Sequence, residues 1–222
     1  GTGLAAGETA PRCGVRVYDD KAPGWCSRGG RYTIEDDGAP TAATGQNKAI
    51  KGSTYTDLLT GITYVNQGTA AAPRWLRGPH AYESAVQQSV TGTTAETILA
   101  TITIPAGTLG PNGQIEVQTL WSNTNSANNK LFRVRANGTH VSTNVVSTST
   151  SATFASRLAN RDSVSSQVAN PSGASGANSA AVVTTTIDTD TTDLTITITG
   201  TLASPDDTMA LESYRVLVTP AP

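Results

Sequence analysis

Residues 97–104, TILATITI, and 194–199, LTITIT, alternate apolar and other side chains with a period of two. That period fits a pleated strand, whose successive side chains point to opposite faces, and not a helical turn of 3.6 residues. It places Ile98, Ala100, Ile102 and Ile104 on one face of the first stretch. In the second, Leu194, Ile196 and Ile198 lie opposite Thr195, Thr197 and Thr199. Three further stretches behave alike. QIEVQTLW sets Ile115 and Val117 inward against Gln114, Glu116 and Gln118, LFRVRA sets Phe132 and Val134 inward against Arg133 and Arg135, and SYRVLV alternates Tyr214, Val216 and Val218. THVSTNVVS, ATFASRLA, DSVSSQVA and AVVTTTID are less regular strand candidates.

The 36 threonines of the chain serve the same end, because a β-branched residue suits the solvent side of a strand. Turn signals such as IPAGTLGPNG and ASPDD separate the strands, no fixed repeat recurs, and helices have little room. The expected fold class is all-β: a small loop-rich β module followed by a jelly-roll-like β-sandwich.

The module is expected at residues 1–77, where irregular, Gly- and Pro-containing segments such as DDKAPGWCSRGG concentrate. Within it RCGVRVYDD and GRYTIEDDG each offer one short strand. Residues 54–57 and 62–66 offer a hairpin turning at Gly61, with Tyr55 opposite Tyr64. Gly78 and Pro79 break the pattern, so 78–90 reads as a junction or a short helix, and 91–222 as the sandwich.

The formal net charge is −2 and no segment clusters Lys and Arg, so nucleic acid is not an expected partner. No run reaches the roughly 18 apolar residues of a membrane span, and membrane insertion is not expected. Gly1 opens the sequence without a basic-then-apolar leader. A soluble chain beginning at a processing site or an artificial boundary is expected. Cys13 and Cys26 are the only cysteines. They form either a disulfide, contributing about 3 kcal/mol, or two structural thiols. Zinc normally takes four ligands, and the two histidines, His80 and His140, lie far from the cysteines in sequence. No metal and no cofactor are expected.

A glycan hydrolase needs two carboxylates about 5 to 10 Å apart across a sugar ring. The candidates are Glu83, Glu96, Glu116, Asp162 and Glu212, with Asp188, Asp190, Asp193, Asp206 and Asp207 in turns. Glu116 and Glu212 fall on outward strand faces, and turn chemistry accounts for Asp206 and Asp207. The DTDTTD run, 188–193, lacks the glycine and distal glutamate of an EF-hand loop. Neither histidine is accompanied by a G-x-S-x-G elbow. No catalytic residue is assigned, and the chain is read as a non-enzyme.

The better binding candidate is LWSNTNSANNK, 120–130, whose polar stretch exceeds what a strand turn needs. Trp121 offers a ring to stack on a sugar, and Asn123, Asn125, Asn128 and Asn129 offer hydrogen-bonding partners. The alternative is that Trp121, in register with Ile115 and Val117, caps the core. If the stretch is an exposed loop, shortening 122–128 costs little stability, because closure entropy grows slowly with length. A second loop candidate is NPSGASGANSA, 170–180.

One stretch, GSTYTDLLTGITYVNQGTAAAPRW, resembles an element of tailed-bacteriophage structural proteins. It is carried here by Gly52, Tyr55, Asp57, Thr60, Gly61, Tyr64, Asn66, Gly68, Thr69, Pro73 and Trp75. Residues 97–219 resemble the carboxy-terminal β-sandwich heads of phage tail fibres, tailspikes and head fibres. The resemblance implies a virion-surface protein and a homotrimer. Its amino-terminal part would join other virion proteins, and its head would meet a host surface polysaccharide or protein receptor, or decorate the capsid or tail. The reading from a different class is a carbohydrate-binding module or glycan hydrolase domain of a secreted protein.

Overall fold

The computed structural model describes residues 16–17, 24–26, 31–171 and 181–221. The fold is all-β: every regular element among the described residues is a strand. The chain divides into two compact units, Gly1–Gly78 and Pro79–Pro222.

In the first unit, β1 (Arg16–Val17), β2 (Gly24–Cys26), β3 (Tyr32–Asp36), β4 (Thr54–Asp57), β5 (Thr63–Asn66) and β6 (Trp75–Arg77) form one sheet in chain order. The β3–β4 pair is parallel and the others are antiparallel. Strand β2 lies in a segment that reads as irregular, since three residues are too few to display a period. Cys13, the candidate disulfide partner of Cys26, lies outside the described residues. The β4–β5 hairpin sets Tyr55 opposite Tyr64 and turns through Gly61 at φ 70°. Tyr55 is buried with Ile34 and Ala49, its ring centroid 6.1 Å from that of Tyr64 and 5.9 Å from that of Trp75.

Side chains of the stretch 52–75 hold this unit together. Buried Asp57 closes the hairpin, accepting from the backbone N–H groups of Leu59 and Gly38 at 2.9 Å and from the Thr60 hydroxyl at 2.6 Å. The Thr60 bond is the main reason its carboxyl sits below its ordinary value. Fully buried Asn66 donates to the Ala49 carbonyl and accepts from the N–H groups of Gly68 and Arg74, both at 2.8 Å. Position 68 must be glycine, because a Cβ there would lie 2.2 Å from the Ala72 carbonyl oxygen.

Asn66→Ala is therefore expected to destabilise the unit by about 1–3 kcal/mol, since it leaves the buried Ala49 carbonyl without its donor, the range for one buried group left unsatisfied, while the part-buried N–H groups of Gly68 and Arg74 can turn to water. Hydrogen exchange checks it: the Gly68 and Arg74 amides should lose protection first. Unchanged protection would show that the side chain does not hold the turn.

The second unit contains β7 (His80–Ser84), β8 (Gln88–Thr91), β9 (Thr97–Ile104), β10 (Gln114–Asn123), β11 (Lys130–Ala136) and β12 (Thr139–Val146). It continues with β13 (Ser151–Asn160), β14 (Gln167–Ala169), β15 (Val183–Thr185), β16 (Leu194–Leu202) and β17 (Thr208–Thr219). One sheet has the order β15-β14-β13-β10-β17-β7, with β8 also on β17, and the other has the order β12-β11-β16-β9. Ile115, Val117, Val216 and Val218 from the larger sheet pack with Ile102, Phe132, Ile196 and Ile198 from the smaller, the inward sets that alternation assigns. The two sheets form a sandwich. The chain passes from β9 to β10 to β11 by changing sheets each time, makes the β11–β12 hairpin, and changes sheets again through β13, β16 and β17.

Two expectations are corrected. Residues 78–90 are neither a free junction nor a helix, because β7 and β8 both pair with β17, and ladder hydrogen bonds outweigh weak local helix preference. Ile98 is 60 % exposed while Leu99 is buried at 8 %. The β9–β16 register shifts between Ile198 and Thr199, so Leu99 is an extra residue and the faces exchange there.

Candidate functional site

The proposed sugar-stacking ring is inside the sandwich. Trp121 is 1 % exposed and meets Phe132 of the opposite sheet edge-on, with centroids 4.7 Å apart; Phe132 in turn lies 5.1 Å from Phe154. Strand β10 runs on through Asn123 in the same alternation, so Trp121 follows Ile115, Val117 and Thr119 inward. The assignment of Trp121 to a ligand is thereby corrected.

Asn123 belongs to the strand and donates its amide to the Ser149 carbonyl. Asn125, Asn128 and Asn129 are exposed on the connection that follows. That connection is anchored from below. The Lys130 side chain is fully buried, its Nζ 2.8 Å from the Ser126 hydroxyl, 2.9 Å from the Asn128 carbonyl and 3.7 Å from the Asp207 carboxylate. Ser126 also donates to Asp207 at 2.9 Å. Burial pushes the Asp207 carboxyl up, but hydrogen bonds from Ser126 and Asn128 and the Lys130 charge outweigh it, and the group sits below its ordinary value. Cheap shortening of 122–128 is corrected on the same ground, because deletion removes two of the partners of a buried ammonium.

A different surface has the form of a binding site. An open groove of about 880 Å³ lies on the outer face of the larger sheet. Its side chains fall in two cross-strand rows: Ala155, Gln118, Arg215 and Glu83 in one, and Thr153, Leu120 and Ser213 in the next. The sheet is irregular at this place. Between Leu120 and Trp121 the β10–β17 register shifts, leaving Glu212 as an extra residue, and bulges of this kind bend a strand. On the far side of β17, β7 ends at Ser84 and β8 begins at Gln88, so Glu212 and Ser213 have no strand partner there. Glu212 accepts from the Ser122 hydroxyl and, at 2.9 and 3.0 Å, from the Gln87 amide, which holds its carboxyl below the ordinary value.

The carboxylates around the groove each have a partner. Glu116 accepts from the Gln118 amide at 2.8 Å and lies 3.4 Å from Arg157, and Glu83 lies 3.6 Å from Arg215. The Gln118 bond is the largest cause of the lowered Glu116 pKa; burial pushes the carboxyl up, but its hydrogen bonds and the nearby arginines outweigh it. Asp188 is spent on its own turn, accepting from the N–H groups of Asp190 and Thr191 at 2.9 and 3.1 Å. No group of three or more His, Cys, Asp or Glu side chains among the described residues is placed to hold a metal ion.

The outer face of the smaller sheet carries one strong charge cluster. Glu96 takes a two-pronged bond from Arg135 at 2.8 and 2.7 Å, a bond from the Thr199 hydroxyl at 2.6 Å, and a longer contact from Arg133 at 3.4 Å. The Arg135 bond is the main cause that brings its carboxyl from 4.5 down to about 2. A group depressed on folding stabilises fully above its unfolded pKa and loses that contribution as pH falls through the folded one. Glu96→Gln is therefore expected to flatten stability between about pH 4.5 and 2. Carbon-detected NMR of the Glu96 carboxyl should show its midpoint near the lower limit; a midpoint near 4.5 would show the fork to be unformed in solution.

Alternation places Gln118 and Arg215 outward, so half of the groove's chemistry is legible in the sequence. The bulge at Glu212 and the break between β7 and β8 are not, because both depend on a partner strand. Compared with known proteins, the chain matches no family model and no curated sequence.

Proposed function

We propose that this chain is a non-enzymatic, phage-like fibre or spike component of the virion surface, and that its second unit recognises a host surface glycan. The carrying observation is the groove: hydrogen-bonding side chains from four adjacent strands converge on a rigid sheet, in a volume of the size small ligands occupy. The strand orders β7-β17-β10-β13 and β9-β16-β11-β12, filled by a chain that alternates between sheets, support reading the sandwich as a jelly roll. The first unit, whose phage-like motif is devoted to folding, is assigned to attachment.

The same groove favours a second reading, a carbohydrate-binding module of a secreted protein. Assembly separates the two. Threonine on the outer faces of β9 and β16, in a chain only 14% charged, is the reason to expect a homotrimer. Light scattering is expected to give about three times 22.8 kDa. A clean monomer at micromolar concentration rejects the fibre reading and leaves the module.

A further inference from the structure

The groove's chemistry narrows its ligand. Because β10 is paired along both edges, with β13 and with β17, its backbone N–H and C=O groups are spent in the ladders. A peptide adding as a strand needs a free edge, whereas this groove lies on a face and offers side chains alone. Those side chains are hydroxyls, an amide and an ion pair. Gln118 uses one amide N–H on Glu116 and keeps its oxygen for a ligand. Leu120, 42 % exposed, supplies the apolar floor.

Charge decides between kinds of glycan. The single cation of the lining, Arg215, stands beside Glu83, and nearby Arg157 stands beside Glu116. A polyanion would gain no uncompensated cation and would meet carboxylates in return. The row from Ala155 to Glu83 crosses four strands, about 14 Å at the usual inter-strand spacing, which suits an extended chain rather than a single ring.

We propose that the groove binds an uncharged, linear polysaccharide lying across strands β13, β10, β17 and β7. Gln118 and the Arg215–Glu83 pair bond its hydroxyls, and Leu120 lies under an apolar sugar face. This rests on the glycan-recognition reading above, without depending on trimer formation.

Affinity electrophoresis of the full chain through gels containing laminarin, mannan or dextran, beside gels containing hyaluronate or polygalacturonate, tests it. Retardation is expected in at least one neutral gel and in neither acidic one. Gln118→Ala and Leu120→Glu, both at exposed positions, should each weaken that retardation at least tenfold, about 1.4 kcal/mol. Asn125→Ala with Asn128→Ala should leave it unchanged. The proposal is overturned by no retardation in any neutral gel, by retention confined to the acidic gels, or by retardation that survives both groove substitutions. Binding to whole host cells separates the two levels: cell binding that survives the groove substitutions removes the groove and keeps host recognition. A monomer that binds a neutral glycan through Gln118 keeps the groove and removes the fibre.

Discussion

Trp121→Ala is expected to cost the second unit about 3–5 kcal/mol, the range for removing a large buried aromatic from a packed interior. The ring is 1 % exposed and sits edge-on against Phe132, so its loss opens a cavity between the sheets and ends an aromatic contact that runs on to Phe154. Its indole Nε1 is buried and has no hydrogen-bond partner among the described residues. Trp121→Phe sheds that orphaned donor while keeping most of the ring, and the loss should stay under about 2 kcal/mol. Urea denaturation followed by circular dichroism measures both variants, the m-value reporting whether the unfolding unit is unchanged. If Trp121→Ala costs less than about 1 kcal/mol, the ring is not packed as described and a surface role for it reopens.

Lys130→Met is expected to cost about 3–5 kcal/mol, because removing one partner of a buried ion pair leaves the other charge uncompensated. The Lys130 ammonium has no solvent to fall back on and is held by Ser126, the Asn128 carbonyl and Asp207. Truncating it strands a buried carboxylate rather than merely deleting a contact. The double variant Lys130→Met with Asp207→Leu removes both charges, and should recover most of the loss if Ser126 repacks. Denaturation of the three variants forms the cycle. A double variant no more stable than Lys130→Met alone would assign the cost to packing instead of charge.

The same lysine shows how much of the site was legible beforehand. Lys130 is the first residue of β11, in phase with Phe132 and Val134 and buried with them, although its polar neighbours had put it with the stretch 120–130. Its partner Asp207 lies far along the chain in a turn whose local chemistry already accounts for an aspartate, and nothing local marks it as buried. Trp121 is a similar case. Its phase with Val117 pointed to the core, while its neighbours Asn123, Asn125, Asn128 and Asn129 pointed to a ligand; burial against Phe132 decided for the phase.

Features that depend on neighbours along one strand were legible from the residues alone: the all-β class, the inward sets Ile115 with Val117 and Ile196 with Ile198, and the hairpin that sets Tyr55 opposite Tyr64. A period of two is a local property, since each side chain's direction follows from the one before it. Features that depend on a second strand emerged only with the fold. The extra residues Leu99 and Glu212 exchange faces only because β16 and β10 fix the register beside them, and residues 80–84 and 88–91 became strands because β17 offered them an edge. The groove arises where the Glu212 bulge meets the gap between β7 and β8. Pairing across about ninety residues of chain sets the bulge and pairing across more than a hundred sets the gap, and no local pattern encodes such pairings.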